Sequence, residues 1–302
     1  MLITIFTPTY NRGKLLPRLY ESIRKQTVND FEWIIVDDGS TDDTEQICKK
    51  FANEKNNFSI TYIKQLNGGK HRAVNRGVKE AKGKLFFIAD SDDMLLPRSI
   101  EIIFNQYQQI KNNNTFGGIC GLDCYKNSKI VGNGLVKEFI DCNSIEIRYK
   151  YKVVGDLKEV FYTHIIRKYP FPEIKGERFV PEALIWNRIA KQYKLRFINQ
   201  AIYQVEYQDE GLTKQIIKIR MKSPIASMMT YAEMLEINIP FKQKLKAGIN
   251  YWRFRWCYKN NSTYKSNNIP IISWKYYLLY PLGWLMHIND LKTQNTLNYK
   301  RL

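Results

Sequence analysis

Four short stretches of this 302-residue chain gather groups suited to holding a phosphate or a cation: Pro8 to Arg12 (PTYNR), Asp37 to Ser40 (DDGS), Asn67 to Lys70 (NGGK) and Asp90 to Asp93 (DSDD). Any one of them has an ordinary reading, because Asp and Ser cap helices and Asn-Gly makes turns. Their chemistry becomes specific in combination. Three carboxylates directly after the apolar run LFFIA would repel one another and resist burial without a counter-charge. A divalent cation is the simplest remedy; oxygen-only donors select Mg2+ or Mn2+ over zinc and leave positions open for substrate phosphates. Lys70, at the predicted head of a helix after two glycines, adds a positive charge and backbone donors for the same phosphates. Neither GxxxxGK(S/T) nor GxGxxG occurs, which argues against a P-loop nucleotide hydrolase and a dinucleotide enzyme.

The elements that must bring these loops together are legible in the periodicity. LITIFT, FEWIIV, SITYIKQ and KLFFIA read as strands. Between them, apolar residues recur at helical spacing through Leu16, Leu19 and Ile23, through Ile47 and Phe51, and through Ala73, Val74 and Val78. Pro97 is placed to start a fourth helix carrying Ile100, Ile103 and Phe104. This βα alternation predicts an α/β fold with a doubly wound, mostly parallel sheet, whose ligands bind beyond the carboxyl ends of the strands, where all four polar loops fall. From residue 116 the order becomes mixed: FGGICGLDCY, FYTHII and LRFINQAIY read as strands and EALIWNRIAKQY as a helix. The predicted organisation is a domain over 1–212, in halves 1–115 and 116–212, and a C-terminal helical appendage over 213–302, with the boundary near Gly211.

TPTYNR, VDDGSTDDT, NGGKxxAxNxG and ADSDD, in this order and spacing, resemble the family 2 glycosyltransferases of the GT-A fold, over roughly the first 205 residues. The resemblance implies a nucleotide-sugar half followed by an acceptor half. It implies a donor site formed by Pro8, Thr9, Tyr10, Arg12, Asp38, Lys70, Asn75, Asp90 and Ser91, with Thr9 and Asp38 at the uracil of a UDP-sugar. Asp90 would contact ribose or metal, Asp92 would bind the Mn2+ or Mg2+ bridging the diphosphate, and Lys70 would lie close to that diphosphate. Many relatives carry arginine at the place of Val74, so here the charge would come from Lys70 or Arg72. The general base of relatives is an acid, usually the Asp of a Glu-Asp pair, six residues before an arginine. Glu182 stands at that distance from Arg188, with Pro181 replacing the first acid. Glu182 is therefore the expected catalytic base and Glu177 the alternative, while an ordinary reading makes Glu182 a first-turn acid facing the helix dipole. The implied reaction is an inverting, single-sugar transfer to an acceptor hydroxyl, such as that of a lipid-linked or cell-surface glycan precursor. Processive members carry Gln-x-x-Arg-Trp, and here Trp252 occupies the glutamine's place before Arg255 and Trp256.

Composition sets the surroundings. The net charge is +18, which draws the chain to polyanions. Residues 241–302 hold eleven Lys or Arg against Asp290 alone, together with Trp252, Trp256, Trp274 and Trp284. Such a mixture suits an anionic membrane surface, and equally the packed core of a small helical unit. The segment YYLLYPLGWLM is too short to span a bilayer. A nucleic-acid partner would also use basic and aromatic residues, but gains nothing from clustered Asp37, Asp38, Asp90, Asp92 and Asp93, so none is expected. A nucleotidyltransferase and a non-catalytic nucleotide-sugar binder are the remaining alternatives. The five cysteines are odd in number and no secretion signal precedes them, so a cytoplasmic protein, peripheral on the inner face of the membrane, is expected.

Overall fold

A computed structural model describes residues 1–206, 215–259 and 269–299. It divides into two compact units, the first formed by Met1–Phe171 with Arg188–Gln208, the second by Pro172–Asn187 with Asp209–Leu302. The domain boundary expected near Gly211 lies outside the described residues. The grouping of 172–187 with the C-terminal helices is a feature the sequence did not suggest.

In chain order the first unit runs β1 (Ile3–Thr9), α1 (Leu16–Arg24), β2 (Phe31–Asp37), α2 (Thr44–Asn53), β3 (Ser59–Lys64), α3 (Lys70–Glu80) and β4 (Leu85–Ile88). It continues through β5 (Met94–Leu95), α4 (Ser99–Ile110), β6 (Phe116–Cys124), β7 (Phe139–Cys142), α5 (Glu146–Tyr149), β8 (Leu157–Tyr162) and α6 (Thr163–Ile166). After α7 (Glu182–Ala190), which spans the division between the units, β9 (Lys194–Gln204) completes the first. One sheet holds all nine strands, ordered β3-β2-β1-β4-β8-β6-β9-β5, with β7 also on β9. Pairings among β1 to β4 are parallel, and β8 enters antiparallel between β4 and β6. The mostly parallel, doubly wound expectation holds.

Burial explains the strands. All seven residues of β1 and of β2 are buried, as strands covered on both faces must be. The polar members are satisfied in place: the buried Glu32 carboxylate accepts bonds from Thr4 Oγ1 at 2.6 Å and the Lys82 amide at 2.7 Å, and Trp33 Nε1 donates to Thr7 Oγ1 at 2.9 Å. Tyr20 of α1 stacks on Phe51 of α2 at 4.1 Å and on Trp33 at 5.9 Å, locking both helices to the sheet. Gly77 lets α3 approach β1, since a Cβ there would meet Phe6 Cε2 at 2.1 Å.

Three local expectations are corrected. FYTHII is not a single strand: β8 ends at Tyr162, and Thr163 turns the chain into α6 by donating its hydroxyl to Gly83 O at 2.6 Å. The helix expected from Pro97 begins at Ser99, whose hydroxyl bonds Leu96 O and Ile202 O. Strands β5 and β7, two and four residues long, went unread because they are too short to show a period.

In the second unit, α8 (Ile216–Lys222), α9 (Pro224–Glu236), α10 (Phe241–Lys259), a 3-10 turn (Trp274–Leu279) and α11 (Tyr280–Tyr299) form a helical assembly. Trp252 Nε1 donates to Tyr276 O at 2.8 Å, and Arg253 clamps Asp290 through paired bonds of 2.6 and 2.5 Å, tying α10 to α11. Gly283 allows that approach: a Cβ would meet Trp252 Cβ at 2.3 Å. The aromatic tail divides between core and surface. Tyr251, Trp252, Phe254 and Tyr276 are buried, while Ile271, Trp274 and Leu278 are more than 80% exposed and Tyr277, Leu282, Trp284 and Leu285 partly so. No described helix is long and apolar enough to cross a membrane.

Candidate active site

The loops after β1, β2 and β4 and the head of α3 meet at the carboxyl edge of the parallel strands. The first two loops are clasped by side chain to backbone bonds. Asn11, in the left-handed region at φ 51°, donates its amide to Ser40 Oγ at 2.8 Å and accepts from Thr41 N through Oδ1 at 2.8 Å. Gly13 N donates to Asp42 Oδ2 at 3.1 Å. Such a fixed pair of loops leaves little to order when a ligand arrives.

The aspartates divide their labour. Asp37 is fully buried and structural, accepting from Ser40 N at 2.8 Å and from the Tyr62 hydroxyl at 2.7 Å. Asp38 accepts from Gly68 N, Gly69 N and Gln65 Nε2 at 2.9, 2.7 and 2.8 Å, so it holds the NGGK turn against the DDGS loop. Gly39 is required between them, with φ 83° and only 2.9 Å from a built Cβ to Asn67 N. Thr9 is buried, and its hydroxyl has no hydrogen-bond partner among the described residues, as a group reserved for a ligand would be. Pro8 is buried beside it and Tyr10 is 48% exposed.

Charge concentrates after β4. Lys70 Nζ lies 2.5 Å from Asp90, and Lys158 of β8 lies 3.7 Å from the same carboxylate with its side chain 12% exposed. Burial opposes ionisation of Asp90, but Lys70 and Lys158 overcome it and leave its pKa below the ordinary value. Asp92 and Asp93 respond oppositely. Burial and then the Asp90 charge raise both, Asp93 to about 7, although Arg12 and Lys70 pull Asp92 down and Lys158 pulls Asp93 down. Ser91, between Asp90 and Asp92 in sequence, is buried. The loop itself is fixed: Arg18 donates to Asp92 O at 3.0 Å and pairs with Glu206 at 2.6 Å, Asp93 accepts from Glu206 N at 2.9 Å, and Asp90 N donates to Tyr203 Oη at 2.6 Å.

Among the described residues no three His, Cys, Asp or Glu side chains converge into a protein-only metal cage. The donor set fits a Mn2+ or Mg2+ ion held by one or two carboxylates and completed by phosphate and water. Asp92, half-buried and with its pKa raised by burial and then by the Asp90 charge, is the carboxylate such an ion would neutralise.

Two groups at this edge were missed by sequence reasoning. Lys158 packs its ammonium 3.7 Å from the Tyr203 ring centroid. Asp123 of β6 is buried with Oδ1 unpartnered among the described residues, and burial raises its pKa to about 7 against the opposing pull of Lys158. Asn75, placed in the donor set by resemblance, instead closes two 2.9 Å bonds with the Phe171 backbone, and this geometry lends no support to a nucleotide contact.

The candidate bases belong to the second unit. Glu182 is the first residue of α7 and half-buried. Glu177 is buried and accepts from Ile225 N and Ala226 N at 2.6 and 2.9 Å, which makes it the N-terminal anchor of α9; burial, outweighing those bonds, raises its pKa to about 7. A carboxylate so engaged is a poor alternative to Glu182.

The chain is similar to known proteins in sequence and in fold. Residues 4–132 match the model for glycosyl transferase family 2. The glycosyltransferase GlyG of Streptococcus pneumoniae is 31% identical over 212 residues, covering 67% of this chain and 69% of GlyG. Among solved structures, Staphylococcus aureus TarS 1-349 in complex with UDP-GlcNAc superposes with a TM-score of 0.61 at 19% identity, covering 94% of this chain and 79% of that one. The mannosyltransferase PcManGT of Pyrobaculum calidifontis, in complex with GDP-Man and Mn2+, gives 0.56 at 17% identity, covering 97% and 83%. At these identities the structural likenesses establish the fold.

Proposed function

Because the chain belongs to glycosyl transferase family 2, we propose that it moves one sugar from a UDP-sugar to an acceptor hydroxyl with inversion at the anomeric carbon. The observation that carries this reading is the Lys70–Asp90–Asp92 arrangement beside the unpartnered Thr9 hydroxyl, which offers a diphosphate both a cation of the protein and a carboxylate in need of one. UDP is favoured by the resemblance of the VDDGS loop to the uracil-binding loop of relatives, and UDP-GlcNAc is what TarS 1-349 holds.

In the proposed reaction Lys70 exchanges its Asp90 partner for the donor's phosphates, and the clasped loops hold the nucleotide without further ordering. A Mn2+ or Mg2+ ion, when bound at Asp92, would supply Lewis-acid stabilisation of the departing diphosphate. The acceptor oxygen bonds to the anomeric carbon as the bond to the diphosphate oxygen breaks, and Glu182 takes the acceptor's proton. The exposed ridge of Ile271, Trp274, Tyr277, Leu278, Leu282 and Leu285 supports attachment to an anionic membrane, where a lipid-linked or cell-surface glycan precursor would be presented.

The test is transfer from a panel of nucleotide sugars in the presence of Mn2+, comparing the wild type with Glu182→Gln. Turnover should fall by about a hundredfold or more while donor binding is retained. Equal loss of both would assign Glu182 a structural role, and a preference for GDP-sugars would overturn the choice of UDP.

A further inference from the structure

A cavity of about 460 Å³ opens at the opposite end of β4 from the aspartate loop. Lys84 precedes the strand and Asp90 follows it, so at about 3.3 Å per residue the two sites lie roughly 20 Å apart along it. The volume is in the range of roughly 300 to 1,000 Å³ found for small-ligand sites.

Its lining is unusual in charge. Lys84, Lys111, Arg167 and Lys168 contribute four cations, and no Asp or Glu is among the lining residues. Arg167 is fixed at the end of α3, donating to Val78 O at 3.1 Å and to Ala81 O. Asn113 and Asn114 add amides. The wall is aromatic: Tyr162 stacks on His164 at 5.6 Å and meets Tyr107 edge-on at 6.0 Å, and Tyr193 completes it. Tyr162 is only 7% exposed, yet its hydroxyl finds no hydrogen-bond partner among the described residues. A buried hydroxyl of this kind is destabilising unless something bonds it.

We propose that this cavity is a second ligand site, separate from the donor site, that takes a phosphorylated sugar. The cations meet the phosphate, the ring faces pack against the apolar faces of the sugar, and the Tyr162 hydroxyl and asparagine amides meet its oxygens. An inorganic anion alone would leave the aromatic wall and most of the volume unused. The same chemistry is presented by a free sugar monophosphate and by a repeat of a phosphodiester-linked glycan.

Calorimetric titration of the full chain with glucose 1-phosphate, its methyl phosphodiester and inorganic phosphate tests this. Glucose 1-phosphate should bind at least tenfold tighter than inorganic phosphate. That affinity should be unchanged by saturating UDP and by Asp92→Asn, and should weaken as salt rises. It should drop about tenfold in Lys84→Gln/Lys168→Gln, whose positions are exposed, and severalfold in Tyr162→Phe, which keeps the ring and removes only the unpartnered hydroxyl. Retained affinity for the diester would identify a phosphate-linked glycan as the source, and its loss a free monoester. Competition by UDP, equal binding of inorganic phosphate, or indifference to these substitutions in proteins with wild-type melting curves would each overturn the proposal.

Discussion

Lys158 shows how far residue types alone carry an argument. The sequence put Asp90, Asp92 and Asp93 together and demanded a counter-charge, but it offered only a divalent cation to provide one and assigned Lys70 to the phosphates. The second lysine comes from a strand 68 residues beyond Asp90 in sequence, and only the antiparallel pairing of β8 with β4 brings it there. No local pattern could have revealed it. Removing one partner of a buried ionic group costs about 3–5 kcal/mol because the other charge is stranded. Lys158→Met should therefore destabilise the protein by that order at pH 8, above the values of about 7 that Asp93 and Asp123 have with Lys158 in place. The loss should shrink at pH 5, where stranded carboxylates take up protons; urea midpoints at the two pH values would check it, and equal losses would mean that Lys158 acts only by packing. By contrast, the positions of Thr9, Asp38, Lys70 and Asp92 at the sheet edge were legible because each loop directly follows its strand.

At the scale of elements, long buried strands and amphipathic helices were readable, whereas β5 and β7 and the turn into α6 depend on partners distant in sequence. Gly77 illustrates an element decided by a neighbour. Alanine is a better helix former by about 1 kcal/mol, but its methyl would sit 2.1 Å from an atom of Phe6, which is fully buried and cannot yield. Overpacking costs about 1–3 kcal/mol, so Gly77→Ala should lower the thermal midpoint despite its helical preference. Glu177 sets a pH dependence on α9. The folded chain holds its proton up to about pH 7, while the unfolded chain releases it near the ordinary 4.5. The folded state thus binds more protons across that window, and stability falls as pH rises through it, by up to about 3 kcal/mol, then levels off. Glu177→Gln should remove this portion of the slope in denaturant titrations between pH 4.5 and 8, and a slope identical to that of the wild type would show that Glu177 titrates as an ordinary carboxylate.

Over the whole molecule, the charge of +18 and the exposed apolar ridge of the second unit bear on where the enzyme works. Basic residues near an anionic surface contribute on the order of 1 kcal/mol each, and this part is screened by salt. Apolar insertion is not screened. Flotation with anionic liposomes should therefore weaken but not vanish at high salt, and Trp274→Ala with Leu278→Ala should abolish the salt-resistant part; binding of neutral and anionic liposomes alike would remove the electrostatic component. The strand order has a consequence for how the chain is made. Strands β1 to β4 can pair as they leave the ribosome, but the flank of β4, with its LFFI run, waits for β8. At about 5–20 residues per second, that delay lasts roughly 3–14 s, during which a hydrophobic strand edge stands open to other nascent chains. Asp90 stays without Lys158 for the same interval. A charge beside an open strand edge disfavours mispairing, and Asp90 stands two residues beyond the end of β4.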